Sequence, residues 1–274
     1  MTLKVDELKN IFHQCLYNKG IWPGVSTKHR KCLTISEVCM KSFLTLCFVL
    51  MFSSNIYGYY FHAAKQWAFR IFYDHRKTFY CHCDYSTRGK VNVKKCGFSS
   101  PYNSERADWI EWEHVVPVSL FGKTFKAWKG HNACKRGSGK MYKGRQCLRK
   151  VSEKFKEMEG DLYNLVPVIG ELNNVRSNNK MGLVKGEKRQ FGHCDFEVSK
   201  GVVEPKRDIR GDVARTYFYM NYRYPGFNIV GLKDQEMFEL WHNDDPVDEW
   251  ERERAWEIYE IQGNSNPFIL GFED

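Results

Sequence analysis

The sequence predicts an α+β domain in which helices outweigh strands. Hydrophobic residues make up 42% of the 274 and aromatic residues 15%, enough for a packed core and too much for a disordered chain. Apolar positions recur at helical spacing near both ends of residues 59–274. Between them lie short aromatic stretches of strand length, set off by glycine and proline. With neither an internal repeat nor a long linker, residues 59–274 read as one domain.

Ala63, Ala64, Trp67, Ile71 and Phe72 mark the first helix, with Lys65 and Arg70 between them. Phe79-Tyr80-Cys81 reads as a strand. Residues 86–101 are rich in turn formers and run over the surface. Residues 108–114 suit a short helix or strand, ended by Pro117. Residues 122–150 read as a flexible loop, and 151–160 as an amphipathic helix with Val151, Phe155 and Met158 on one face. Asn173 to Asn179 is a poor helix interior, although Glu171 and Leu172 permit a helix start. Residues 213–224 read as a core helix. Residues 248–262 read as an amphipathic helix bearing Trp256, Tyr259 and Glu/Arg pairs, ended by Gly263 and Pro267.

Residues 40–58 read as an export signal: Lys41, an apolar run of ten from Phe43 to Phe52, then Gly58 before a cut. Spanning a bilayer of about 30 Å takes about 20 helical residues, so the run is too short to cross; an uncleaved anchor and a buried strand are the rival readings. Residues 1–39 then read as a doubtful extension ahead of Met40, the rival being a genuine N-terminal segment. Six cysteines follow the cut, and export leads to an oxidising compartment. Proximity favours Cys83–Cys96 and Cys134–Cys147, leaving Cys81–Cys194 as the long closure. Zinc at Cys81-His82-Cys83 competes, without the usual ligand spacing.

The net charge of +9 and pI near 8.9 favour polyanionic partners. Residues 122–150 concentrate that charge, with lysines and arginines from Lys123 to Lys150 and no acid among them. A solvated basic loop is the plain reading; a phosphate-binding surface, with Arg136, Lys140 and Lys143, is the functional one.

Trp112-Glu113-His114-Val115-Val116-Pro117 sets an acid beside an imidazole. About 50 residues later come Asp161-Leu162-Tyr163-Asn164-Leu165-Val166-Pro167 and then Asn173-Asn174-Val175-Arg176. Phosphodiester hydrolysis needs a proton acceptor, charge neutralisation on the phosphoryl oxygens and a stabilised leaving group. His114 supplies the first. Glu113 and Asn173 offer hard oxygens to Mg²⁺, and Arg176 a guanidinium. Neighbours on an extended segment point apart, so Glu113 faces the ion and His114 the water. Alone, a Glu-His pair is more often an ordinary surface or core pair.

These segments resemble the bacterial endonuclease I family, and so do Ala63-Ala64-Lys65, Phe79 to Cys83, Ala214-Arg215-Thr216-Tyr217 and Ile258 to Asn264. The resemblance spans residues 59–267 in order. It implies an α+β, largely helical domain around a ββα-metal (His-Me finger) core, and a Mg²⁺-dependent, sequence-non-specific nuclease that folds with disulfides. Mn²⁺ or Ca²⁺ would substitute in binding. By position, His114 matches the general base, Glu113 and Asn173 the metal ligands, and Glu159 another acid of the site. Asn164 sits where an Asn orients the histidine. Arg145 best matches the arginine on the scissile phosphate, with Arg136 as rival. The substrate expected is DNA, with RNA open, cut to 5′-phosphate ends by a monomer in the periplasm or outside the cell, without a membrane anchor. Two rivals remain: an exported basic protein that binds nucleic acid without cutting, and a glycosidase using Glu111 and Glu113. On a strand those two carboxylates would lie about 7 Å apart, and the basic loop would have no job.

Overall fold

The first described helix, α1 (Phe61–Ile71), buries Ala64, Ala68 and Ile71, positions that return to one face of a helix. The structure, a computed structural model, describes residues 61–130, 132, 134–186 and 188–273. The expected extension at 1–39, the export signal at 40–58 and the first four cysteines lie outside these residues.

The segment expected as a strand at Phe79-Tyr80-Cys81 is a turn. Thr78 closes it, its carbonyl accepting from His82 N at 2.8 Å and its hydroxyl from Cys83 N at 3.0 Å. Tertiary closure overrides aromatic β-propensity here. Among the described residues the disulfides are Cys81–Cys194, Cys83–Cys96 and Cys134–Cys147. Helix α2 (Val93–Cys96), capped by Asn92, interrupts the surface run.

Strand β1 (Ile110–His114) pairs antiparallel with β2 (Leu165–Ile169), Glu113 opposite Val166 and His114 opposite Leu165. Pro167 costs no ladder bond in a two-stranded sheet, and its carbonyl accepts from Phe79 N at 2.7 Å. Three helices lie between the strands: α3 (Val118–Gly122), α4 (Arg145–Val151) and α5 (Glu153–Gly160). The expected loop therefore ends in helix, and the expected helix from 151 to 160 is broken. Ser152 caps α5, leaving Val151 on α4 and 37% exposed while Phe155 and Met158 are buried.

Helix α6 (Gly170–Arg176) follows β2 directly, completing a β–β–α unit. Its asparagines are weak helix formers; the fully buried Leu172 and Arg176 hold it in place, and it stops after seven residues. Gly170 is required by close approach, since a Cβ there would meet the Arg106 carbonyl at 2.7 Å and Glu111 Oε1 at 2.8 Å.

A second sheet, unforeseen in the sequence, orders β3 (Lys180–Met181), β5 (Val202–Pro205) and β4 (Phe196–Ser199). Helices α7 (Arg210–Arg223), α8 (Leu232–Asp244), α9 (Glu249–Gln262) and α10 (Pro267–Leu270) complete the domain. The face that α9 buries is Glu251, Arg254, Ala255 and Ile258, while Trp256 is 48% exposed. The expected amphipathic helix forms, and its buried face includes an acid: Glu251 is buried because Arg215 clamps it with two bonds of 2.8 and 2.5 Å. One apolar cluster runs from Ala64 to Ile258.

Candidate active site

Alternation along β1 divides the site. Glu111 and Glu113 face α6, where Asn173 and Arg176 meet them. Trp112 and His114 face α1, against Phe72 at 5.7 Å and Phe61 at 4.9 Å between ring centroids. Neighbouring Glu113 and His114 thus lie in separate surroundings at one strand end.

His114 is buried, with Nε2 2.8 Å from the Glu159 carbonyl oxygen. A carbonyl only accepts, so Nε2 carries the proton and Nδ1 keeps its lone pair. Burial first, then the nearby Arg145 guanidinium, hold the imidazole pKa down to about 3. The ring is therefore neutral at physiological pH, the state a proton acceptor needs. Glu159 is buried too, and its carboxylate takes Arg145 Nε on one oxygen and Arg149 Nε, at 2.6 Å, on the other. Both guanidiniums lie over the Phe61 ring.

On the other face, Glu113 Oε1 is buried without a hydrogen-bond partner, 3.5 Å from Arg176 Nε. Burial pushes its pKa up to about 7, against the pull of Arg176. Asn173 donates Nδ2 to Glu111 Oε2 at 2.7 Å, and Glu111 is held by two bonds from Arg106. That pins the amide with Oδ1 as its acceptor. Glu113 Oε1 thus has a cation nearby but no hydrogen bond, and a carboxylate with an amide oxygen suits a hard divalent ion. Among the described residues no three His, Cys, Asp or Glu side chains gather to hold a metal, so any site here is sparse.

The sequence model of the family described as Endonuclease I matches residues 51–271. An extracellular deoxyribonuclease of Aeromonas hydrophila is 37% identical over 233 residues, 82% of this chain and 96% of its own. An endonuclease-1 of Buchnera aphidicola subsp. Acyrthosiphon pisum (strain APS) is 37% identical over 235 residues, covering 81% and 88%. A periplasmic deoxyribonuclease of Aeromonas hydrophila is 37% identical over 216 residues, covering 76% and 84%. The chain belongs to the endonuclease I family.

It is therefore a nuclease, in a family that is generally metal-dependent, and the reading as a binder without catalysis is not favoured. The structure gives two of the expected site residues different surroundings. Asn164 does not bond the His114 ring; its amide grips Val116, accepting from N at 2.7 Å and donating to O at 3.0 Å. It fixes the chain just beyond the strand end. Arg176 is not placed for an incoming phosphate, being fully buried and donating to the Val115 and Ser177 carbonyls at 2.6 and 3.0 Å. Arg145, not its rival Arg136, lies beside His114; Arg136 is exposed near Tyr142, and Lys140 and Lys143 are exposed on the same segment. Sequence reasoning missed Phe61, Arg106 and Arg149. Arg145 and Arg149 stand four apart on α4, a spacing that puts both on one face and was there to be read. Phe61 carried no such signal.

Proposed function

We propose that this chain is an exported, Mg²⁺-dependent, sequence-non-specific endonuclease that cuts DNA to 5′-phosphate ends. The observation that carries the chemistry is the commitment of His114 Nε2 to a backbone carbonyl, which leaves Nδ1 as an oriented base. Nδ1 takes the proton of the attacking water. Arg145 steadies the scissile phosphate, and Glu159 holds Arg145 in place. Glu113 and Asn173 would hold the ion, which when bound neutralises charge on phosphate and leaving oxygen. Asn164 keeps the Val115-Val116 backbone in register. The exposed lysines and arginines of residues 123–143 hold the phosphate backbone without reading bases. Export agrees with three disulfides and with relatives named extracellular and periplasmic.

Supercoiled plasmid, single-stranded DNA and RNA, each with Mg²⁺ or EDTA, test this reading. Wild type cuts plasmid with Mg²⁺ and not with EDTA. His114→Ala lowers the rate by about 10²- to 10⁴-fold, the usual worth of a general base, while plasmid binding stays within a few-fold. Full activity in that variant sinks the mechanism. The RNA arm decides whether RNA is a second substrate.

A further inference from the structure

Beside the His114 site lies a cleft of about 300 Å³ lined by Phe61, His62, Lys65, Arg149, Lys156 and Glu159. The Phe61 ring joins the two places. It stands 4.9 Å from the His114 imidazole and gathers three cations: Arg145 at 4.8 Å, Lys65 at 5.0 Å and Arg149 at 5.3 Å. Such an arrangement holds a cation over a ring face without consuming its hydrogen-bond donors. Glu159 spaces the two arginines, taking each by Nε. A guanidinium has five donors, so the terminal amino groups of both remain beyond the Nε bonds. Glu159 is 2% exposed at the side chain, whereas Arg145 and Arg149 are 37% and 41% exposed. A buried acid thus sets two partly exposed arginines, with Arg145 Nη2 buried and without a hydrogen-bond partner. One carboxylate against two guanidiniums and Lys65 leaves an excess of positive charge.

A single scissile phosphate beside His114 needs one guanidinium. Arg149 and Lys65 line the neighbouring cleft, whereas Arg145 is not among its lining residues and is the arginine whose charge acts most strongly on His114. We propose that Arg149 and Lys65, on the Phe61 face, form a second phosphate subsite that holds the phosphodiester next to the one being cut. This rests on the nuclease reading, with the scissile phosphate at His114 and Arg145. The ligand class is the backbone phosphate of a nucleic-acid strand, with no base read. Cleavage at one bond then depends on the charge of its neighbour.

The experiment uses end-labelled single-stranded DNA in which every linkage is a neutral methylphosphonate except one phosphodiester. That bond stands alone or has one further phosphodiester restored on its 5′ or 3′ side, and products are separated by length. In wild type, restoring one neighbour raises kcat/KM at the original bond by about tenfold, the worth of a charge-assisted hydrogen bond. In Arg149→Gln and in Lys65→Ala that ratio falls below half. Lys65→Ala leaves the Glu159 clamp intact, so a fall there does not come from a displaced Arg145. A wild-type ratio below about threefold on both sides, or a ratio that either variant keeps, overturns the subsite. Plasmid cut by wild type while every oligonucleotide survives also overturns it. Plasmid left uncut with Mg²⁺ fails the nuclease reading itself, and the subsite with it.

Discussion

Glu113 and His114 are pushed in opposite directions by the same burial. The Glu113 pKa is raised from the ordinary 4.5 to about 7, and that of His114 is lowered from 6.5 to about 3. In the metal-free protein the raised acid stabilises the fold fully below pH 4.5, and that stability is lost as pH climbs through about 7. The lowered base does the reverse, its contribution being present above 6.5 and lost as pH falls through about 3. Wild type alone therefore mixes the two. Glu113→Gln removes only the first, worth about 3 kcal/mol at most. In chelator, the difference in urea midpoint between variant and wild type should move in the variant's favour from pH 4.5 to pH 8. A difference that stays flat contradicts the assigned burial. At this scale the sequence was informative about residue types, since Glu113 and His114 share one strand end and Asn173 meets the same strand at Glu111. It was silent about Phe61, because nothing in a lone aromatic tells that it will lie between an imidazole and two guanidiniums.

The β–β–α unit is held from both ends. Asn164 closes on Val116 at the open end of the strand pair, and Gly170 lets α6 begin against the Arg106 carbonyl. Replacing Gly170 with Ala drives a methyl group into that carbonyl and Glu111. The expected loss is about 1–3 kcal/mol, with weaker metal binding if Asn173, which Glu111 holds, is a ligand as proposed. Chemical denaturation and titration of Mg²⁺ dependence measure the two effects; an unchanged midpoint and Mg²⁺ dependence refute the close approach. β1 was foreseen only as helix or strand, and α6 only as a permitted start. Its asparagines argue against a helix, and only packing of Leu172 and Arg176 decides the matter. The buried face of α9 was equally illegible, because Glu251 needs Arg215, and Arg254 the Leu162, Tyr163 and Leu165 carbonyls, all far away in sequence.

At the scale of the domain, three cross-links are found among the described residues. Cys81–Cys194 closes a separation of 113 residues and the other two close 13 each. Loop-closure entropy makes the long one worth about 5 kcal/mol and each short one about 3. Paired Cys→Ala variants should rank that way in denaturant, and equal losses would refute the entropic account. The exposed basic segment predicts steep salt dependence. Replacing Arg136, Lys140 and Lys143 with Ala should flatten the slope of log binding against log salt by about 0.9 for each duplex phosphate no longer neutralised. An unchanged slope would remove these residues from the nucleic-acid path. The basic surface was plain in the sequence because charge is additive along a chain. The β3–β5–β4 sheet was not, because strands of two to four residues are shorter than any pattern they could display.

Glu159 acts on the site through two different parts of itself: its main-chain oxygen selects the His114 tautomer, and its carboxylate sets the arginines. The first service belongs to every amino acid, the second to this one. On the proposed mechanism, a substitution at position 159 would therefore loosen the grip on phosphate while sparing the identity of the basic nitrogen, so long as the backbone of α5 keeps its course.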